Sequence, residues 1–158
     1  MIEEATATSV RKTITVEASR EHAFEVFTAG FAGWWPSDTH YIGDQQPETV
    51  VIEPREGGRC YERAADGTEC DWGKVVAWEP PARLIIGWQL NADWKYDPDF
   101  LTEVEVVFVD EGENRTRVEL EHRDLDRYGA KQAEITASID SDEGWAGLLR
   151  RFAAAASA

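Results

Sequence analysis

The chain has 158 residues, with 16 Lys and Arg against 31 Asp and Glu, which gives a formal net charge of −15 at pH 7. Nucleic-acid binding requires a basic face, and the basic residues here are scattered among acids, so the composition excludes a general nucleic-acid binder and disfavours anionic membrane surfaces. The hydrophobic (42%) and charged (30%) shares are those of a globular chain. We expect a flexible N-terminus at residues 1–9 and a single domain at residues 10–158.

The chain up to residue 122 predicts a strand, two short helices and a series of strands. Apolar and polar residues alternate over residues 10–17, which indicates a strand with one buried face. Ser19 is a typical N-cap residue ahead of a short helix, and a second short helical turn ends at Pro36. Asp66-Gly67 predicts a type I′ hairpin turn, in which both central residues have positive φ. Six further strands are predicted at 48–54, 59–64, 69–78, 84–88, 102–109 and 115–122.

The C-terminal segment predicts a long amphipathic helix over residues 142–156. Residues 141–143 are typical of a helix cap followed by an acidic first turn. The apolar residues behind them recur at helical spacing: Trp145, Leu148, Leu149, Phe152, Ala153 and Ala156. The element order is α+β, and a strongly apolar antiparallel sheet is expected to curl around this long helix.

The N-terminal composition and the two cysteines bear on the cellular compartment. Met1 to Val10 lacks the basic start and apolar centre of a signal peptide, and no run reaches the roughly 18 apolar residues of a membrane span, so we expect a cytoplasmic protein. Cys60 and Cys70 are then expected to stay reduced, and the hairpin register decides whether they face each other. The chain has no P-loop or dinucleotide-binding fingerprint, and its three histidines lack metal-ligand spacing, so no metal or cofactor is predicted.

Several motifs along the chain carry a family resemblance. The most specific is the segment from Gly73 through Pro80-Pro81 to Leu84, followed by Trp88. Shorter pieces are residues 14–18, Ala23-Phe24, Gly57-Gly58, Gly67, residues 116–122 and Gly144-Trp145. Together with the element order, they resemble the START-like, Bet v 1-like (SRPBCC) superfamily over residues 10–156. The local motifs are similar to its branch named for the C-terminal domain of the activator of Hsp90 ATPase homologue 1.

The resemblance implies a helix-grip fold, in which a curved antiparallel sheet wraps around a long C-terminal helix and two short helices follow the first strand. Between sheet and helix it implies a cavity, usually for an apolar small molecule. Relatives include lipid carriers, aromatase- or cyclase-like proteins and co-chaperone domains, so no single activity is implied. An Hsp90-type chaperone is a less favoured partner, because the eukaryotic co-chaperone carries a separate N-terminal domain that this chain is too short to include.

His122 and Glu62 are the candidate catalytic residues. His122 shares a strand face with Val118 and Leu120, so we expect it to point inward, where a neutral imidazole could bind a ligand or act as a general base near pH 7. The alternative is a core histidine bonded within the protein. Glu62 is either an inward carboxylate beside the same cavity or an exposed side chain, depending on the hairpin register.

The chain has seven tryptophans, and such large rings need either a deep core or a cavity to face. A curled sheet would bring several aromatic residues around one cavity mouth, and aromatic walls with a few polar groups are typical of a small-molecule pocket. Trp145 is expected to anchor the terminal helix in the core. The predicted cavity residues are Trp34, Trp35, Tyr41, Trp72, Trp88, Trp94, Phe100 and His122.

Three functions from different classes remain open. The favoured one is a binding protein for a small hydrophobic or aromatic ligand, which needs only the cavity. The second is a cyclase- or hydrolase-like enzyme, in which His122 and Glu62 would move a proton on an aromatic or polyketide-like substrate. The third is a co-chaperone or other interaction domain, which needs an exposed apolar patch. Polar residues deep in the cavity favour the enzyme, whereas a sealed or filled cavity favours the interaction domain.

Overall fold

Seven strands form one antiparallel sheet in the computed structural model, which describes residues 8–158. Residues 1–7, most of the predicted flexible N-terminus, lie outside the described residues. In chain order the strands are β1 (Val10–Val16), β2 (Thr49–Ile52), β3 (Arg59–Arg63), β4 (Glu69–Glu79), β5 (Arg83–Trp88), β6 (Thr102–Asp110) and β7 (Thr116–Arg123). Their spatial order is β1-β7-β6-β5-β4-β3-β2, so the first strand lies beside the last.

Three α-helices accompany the sheet: α1 (Arg20–Phe27), α2 (Gln132–Asp140) and α3 (Trp145–Ala156). A 3₁₀ turn follows α1 at Phe31–Gly33, and a 3₁₀ segment at Leu125–Lys131 leads into α2. The Ser19 hydroxyl caps α1 by accepting the backbone N–H of His22 at 3.2 Å. The predicted terminal helix begins three residues later than expected, because residues 141–144 form a turn between α2 and α3.

The predicted α+β, helix-grip fold is confirmed: the curved sheet wraps around α3, and the two short helices follow β1. Along β7 the inward residues Val118, Leu120 and His122 are all fully buried. The apolar stripe of α3 is buried as well, which places the core between this helix and the sheet. Every predicted strand is present within about two residues, because alternation of apolar and polar residues marks half-buried strands well.

The β3–β4 hairpin differs from its predicted type I′ turn. Only Gly67 has a positive φ (91°), and Asp66 does not. The N–H of Gly67 bonds to the carbonyl of Ala64, whose own N–H bonds to the carbonyl of Thr68. This is a three-residue loop in which a glycine in the left-handed region follows the turn, the next commonest hairpin type after the two-residue loops.

Cys60 and Cys70 are free thiols and do not lie opposite each other. The β3–β4 register pairs Cys60 with Gly73 and Cys70 with Glu62. Burial raises the pKa of the Cys60 thiol, and the nearby carboxylates of Glu53 and Asp71 add to the effect. Cys60 therefore behaves as a small apolar core side chain.

Leu149→Ala is expected to lower the free energy of unfolding by about 2–5 kcal/mol, because it removes buried contacts and leaves a cavity. Leu149 lies on the inward stripe of α3 and is 2% exposed. Urea denaturation measures the loss. Arg150→Ala, on the exposed side of the same helix, is the control and should change stability by no more than about 0.5 kcal/mol. A loss under about 1 kcal/mol for Leu149→Ala would contradict the packing of α3.

Candidate functional site: a tryptophan-walled cavity

A cavity of about 350 Å³, partly open to solvent, lies between the β2–β5 half of the sheet and the beginning of α3. Strands β2 to β5 contribute one wall and α3 contributes another. The end of α2, the turn between α2 and α3 and two loops, one before β2 and one after β5, complete the lining. The lining residues are Trp35, Thr39, His40, Tyr41, Ile42, Val50, Glu62, Trp72, Trp88, Leu90, Trp94, Ser138, Ile139, Ser141, Glu143, Gly144, Trp145 and Leu148.

Four of the lining tryptophans contact one another in a closed circuit, called the tryptophan circuit here: Trp35, Trp72, Trp88 and Trp145. The Trp35 and Trp72 rings are stacked, with 6.4 Å between centroids and 3° between planes. Edge contacts complete the circuit, at 5.8 Å from Trp72 to Trp88, 5.7 Å from Trp88 to Trp145 and 6.5 Å from Trp145 to Trp35. Since the four residues come from a loop, two strands and a helix, the circuit exists only in the folded chain.

Two aromatic side chains at the mouth remain exposed: Tyr41 (41%) and Trp94 (39%). Trp94 has a φ of 60°, which is unusual for a bulky residue. The surrounding turn holds it there, because the Asn91 side-chain oxygen accepts the N–H groups of Asp93 and Lys95, and the Asn91 carbonyl accepts that of Trp94. The loop therefore holds an exposed indole beside the cavity.

Glu62 is 4% exposed and lies in the cavity wall. Its two carboxylate oxygens accept the backbone N–H groups of Ile42 at 2.9 Å and Gly43 at 3.1 Å. A Cβ atom at position 43 would lie 3.1 Å from Oε2 of Glu62 and 3.0 Å from Sγ of Cys70, so glycine permits this close approach. The carboxylate thus attaches residues 39–43, called the mouth segment here, to β3.

His40 links the mouth segment to the turn between α2 and α3. Its Nε2 lies 2.9 Å from the carbonyl oxygen of Glu143, and its Nδ1 lies 2.8 Å from the hydroxyl of Thr39. A carbonyl can only accept, so Nε2 carries a proton. The indole N–H of Trp35 donates to the His40 carbonyl at 3.1 Å, which connects the mouth segment to the tryptophan circuit.

His122 is fully buried behind the cavity wall and is not among the lining residues. The indole N–H of Trp145 donates to Nδ1 at 3.1 Å, so Nδ1 is unprotonated. The proton therefore lies on Nε2, which donates to the Thr102 hydroxyl at 2.8 Å. Burial lowers the pKa of His122 to about 3. The imidazole is neutral at pH 7 with both nitrogens occupied, which matches the core-histidine alternative.

The polar contacts continue from His122 to Tyr128. The Tyr128 hydroxyl donates to the carbonyl of Leu90 at 2.9 Å. Burial raises the pKa of Tyr128 to about 12, while the neighbouring polar groups of Thr102 and Trp88 act in the opposite direction. The buried indole nitrogen of Trp88 has no hydrogen-bond partner among residues 8–158. These groups form a buried polar cluster beside Trp88 and Trp145.

Of the predicted cavity residues, Trp35, Tyr41, Trp72, Trp88 and Trp94 lie around the cavity, whereas Trp34 and Phe100 do not. Trp34 is buried in the core against Phe27 and Phe152, and its indole N–H bonds to the carbonyl of Val26. Phe100 packs on Tyr128 with 4.9 Å between centroids. At the end of the 3₁₀ turn Trp34 therefore points into the core, while Trp35 faces the cavity.

Several lining residues were not predicted from the sequence. Val50 and Leu148 could have been found from strand alternation and helical spacing, and Trp145 was assigned to the core alone. The others lie in loops or at helix ends, where no periodicity marks the inward side: Thr39, His40, Ile42, Leu90, Ser138, Ile139, Ser141, Glu143 and Gly144.

The charged groups of the cavity wall are acidic. Glu62 and Glu143 contribute carboxylates, and none of the lining residues found within residues 8–158 is Lys or Arg. Within residues 8–158, no group of three or more His, Cys, Asp or Glu is placed to hold a metal ion. In the same part of the chain, no helix is long and apolar enough to cross a membrane.

Comparison with protein-family models matches residues 17–157 to the family described as Activator of Hsp90 ATPase homolog 1-like protein. The chain belongs to this family. Membership confirms the resemblance inferred from the motifs and agrees with the helix-grip fold. A comparison with curated proteins found no match.

Solved structures similar to this member of the family include two with substantial sequence identity. The anthrahydroquino-γ-pyrone synthase Txn09, complexed with SUM, is 41% identical over 94% of this chain and 97% of that chain, with a TM-score of 0.66. CalC, a self-sacrificing resistance protein from Micromonospora echinospora, is 35% identical over 94% and 93%, with a TM-score of 0.67. The Aha1 dimer from Colwellia psychrerythraea is 17% identical over 96% and 97%, with a TM-score of 0.62, and shows the shared fold alone.

Proposed function

We propose that this protein binds a planar, polycyclic aromatic small molecule in its cavity. The observation that carries the proposal is the tryptophan circuit, whose four side chains contact one another in turn and all line the same cavity. Flat aromatic ligands pack favourably against such rings by offset stacking and edge contacts. The name of Txn09, 41% identical to this chain, refers to a fused polycycle of that kind.

The size and openness of the cavity support the same function. Its volume of about 350 Å³ lies within the range of roughly 300–1,000 Å³ that is typical of small-molecule sites. The protein's own side chains do not fill it, and it is partly open to solvent. A filled or sealed cavity would have favoured a protein-interaction domain instead.

Titration with 1,8-dihydroxyanthraquinone is expected to quench tryptophan fluorescence saturably, because a ligand among the indoles can accept their excitation energy. Trp88→Ala should weaken this binding by about 1–3 kcal/mol, since it removes an aromatic wall and the area buried against it. Fluorescence titration and calorimetry measure both affinities. Trp78→Ala is the matched control, because Trp78 packs on Phe24, away from the cavity, and should leave the affinity unchanged.

A second variant covers the case in which Trp88→Ala fails to fold. Trp94→Gly removes an exposed aromatic group at the mouth, and glycine adopts the positive φ of this position without strain. We expect it to fold normally and to bind the anthraquinone more weakly. Unchanged affinity in folded samples of both variants, or no saturable binding by the parent protein, would contradict the proposal.

An enzyme that closes a ring on a bound polycycle is the second candidate, favoured by the 41% identity with a γ-pyrone synthase. The titratable groups in contact with the cavity are His40, Tyr41, Glu62 and Glu143, and these could move a proton. A suitable probe is a polycyclic phenol with a 1,3-diketone at the neighbouring carbon, because addition of the phenol oxygen to the ketone and loss of one water give a γ-pyrone. Mass spectrometry detects the loss of water. If the protein does not make this loss faster than it is in buffer alone, the result counts against an enzyme.

A further inference from the structure

We propose that the cavity selects aromatic ligands that are neutral or cationic and carry a hydrogen-bond donor, that it rejects anionic ones, and that Glu62 sets this preference. The inference rests on the proposed binding function and narrows its ligand class. Its basis is the sign of the charges that face the cavity.

The cavity offers nothing to neutralise an anion. Its ionic lining groups are Glu62 and Glu143, and the described lining contains no Lys or Arg. Both ring nitrogens of His40 already have partners, Nε2 at the Glu143 carbonyl and Nδ1 at the Thr39 hydroxyl. A carboxylate or phosphate brought among the tryptophans would lose its hydration without gaining a cationic partner, which is strongly unfavourable.

Glu62 is the acidic group that a ligand would meet inside the cavity, since Glu143 is exposed at the mouth and only Glu62 is buried in the wall. Each oxygen of Glu62 accepts one backbone N–H, from Ile42 and from Gly43. A carboxylate has about four acceptor positions, so two amide donors leave capacity for a ligand hydroxyl or ammonium group. No ion pair with Glu62 occurs within residues 8–158, so a bound cation would be its first charged partner.

Glu62 has two roles that can be separated experimentally. Its hydrogen bonds to Ile42 and Gly43 position the mouth segment, and losing them would lower the affinity for every ligand by a similar factor. Its charge acts differently on ligands of different charge, because attraction to a cation and repulsion of an anion grow in a desolvated site. The ratio between the affinities of a cationic and an anionic ligand therefore reports the charge alone.

The test uses three anthracenes that differ in one substituent: 9-(aminomethyl)anthracene, 9-(hydroxymethyl)anthracene and anthracene-9-acetate. Calorimetry at pH 7 should give the tightest binding for the amine, intermediate binding for the alcohol and the weakest for the acetate. An affinity ratio of at least about tenfold between amine and acetate is expected for a charged group within a few ångströms of the ligand. Equal or tighter binding of the acetate would overturn the proposal, while binding of the alcohol would still support the proposed function.

Glu62→Gln keeps the size of the side chain and one acceptor oxygen but removes the charge, and it should reduce the amine-to-acetate ratio by about tenfold or more. Glu113→Gln, in the exposed turn between β6 and β7, makes the same change in net charge and should leave the ratio unaltered. A uniform loss of affinity in Glu62→Gln with an unchanged ratio would overturn the proposal and leave Glu62 a purely structural role.

A measurement on the unaltered protein keeps the proposal testable if Glu62→Gln does not fold. At about 0.5 M NaCl the Debye length falls to roughly 4 Å, which screens the surface charges much more than a buried carboxylate. The preference for the amine should persist. Its disappearance would assign the effect to the overall net charge and overturn the role of Glu62, whereas binding of none of the three compounds would overturn the proposed function and this inference together.

Discussion

His122→Ala is expected to lower the free energy of unfolding by about 3–5 kcal/mol at pH 7. The imidazole is fully buried, and its removal leaves a cavity beneath Trp88. It also leaves the Trp145 N–H and the Thr102 hydroxyl without their partner, and each unsatisfied buried group costs about 1–3 kcal/mol. Urea denaturation gives the change in stability, and near-ultraviolet circular dichroism reports the tryptophan packing.

The same variant separates a core histidine from a catalytic base. A base that acts on a ligand would lose about 10²–10⁴ in turnover with little change in stability. A core histidine would show the reverse, with a large loss of stability. His22→Ala, at an exposed position of α1, is the control and should stay within about 0.5 kcal/mol of the parent protein. A loss under about 1 kcal/mol for His122→Ala would contradict the buried hydrogen-bonded arrangement.

The sheet and the terminal helix could be predicted because their signals are local and periodic. Alternation in β6 and β7 reports which side chains face the core, and the spacing of Trp145, Leu148, Leu149 and Phe152 reports one helix face. The hairpin at Gly67 was located from its glycine. Its turn type was predicted wrongly, because Asp-Gly occurs in three-residue loops as well as in two-residue ones.

The cavity could be predicted only in part, because its walls come from segments far apart in the sequence. Trp72 and Trp88 lie on paired strands, but Trp35 joins them through the path of a loop that no periodic pattern describes. The inward position of Glu62 depends on the β3–β4 register, in which Glu62 pairs with Cys70. Sequence alternation leaves that register open, since a shift of one residue would turn the side chain outward.

The setting of His122 shows a similar division. Its inward direction follows from alternation with Val118 and Leu120, and its ring lies 5.4 Å from that of Trp88, as the shared face requires. Its partners Thr102 and Trp145 lie on another strand and on α3, 20 and 23 residues away. Whether a buried histidine is free for chemistry depends on such non-local partners, which the sequence pattern does not reveal.

Acid destabilisation of this protein should carry a distinct contribution from His122. Its ordinary pKa of 6.5 falls to about 3 in the folded protein because of burial. Below pH 6.5 the unfolded chain therefore binds a proton that the folded chain does not, so stability is lost as the pH falls toward 3. Between the two pKa values the slope approaches about 1.4 kcal/mol per pH unit.

Carboxylates also destabilise the fold in acid, so the contribution of His122 must be obtained as a difference. Burial acts to raise the pKa of Glu105, but hydrogen bonds from Arg83 and Arg123 lower it further, so the net shift is downward. The stability that this carboxylate contributes is lost only as the pH falls below the usual range of a carboxyl group. Between pH 6.5 and 5 the histidine effect is therefore best isolated. Urea denaturation at pH 7, 6 and 5 gives the slope of the free energy of unfolding against pH. This slope should be smaller in His122→Gln than in the parent protein, by the amount that corresponds to the uptake of about one proton on unfolding. Equal slopes in His122→Gln and the parent would contradict a neutral, buried His122.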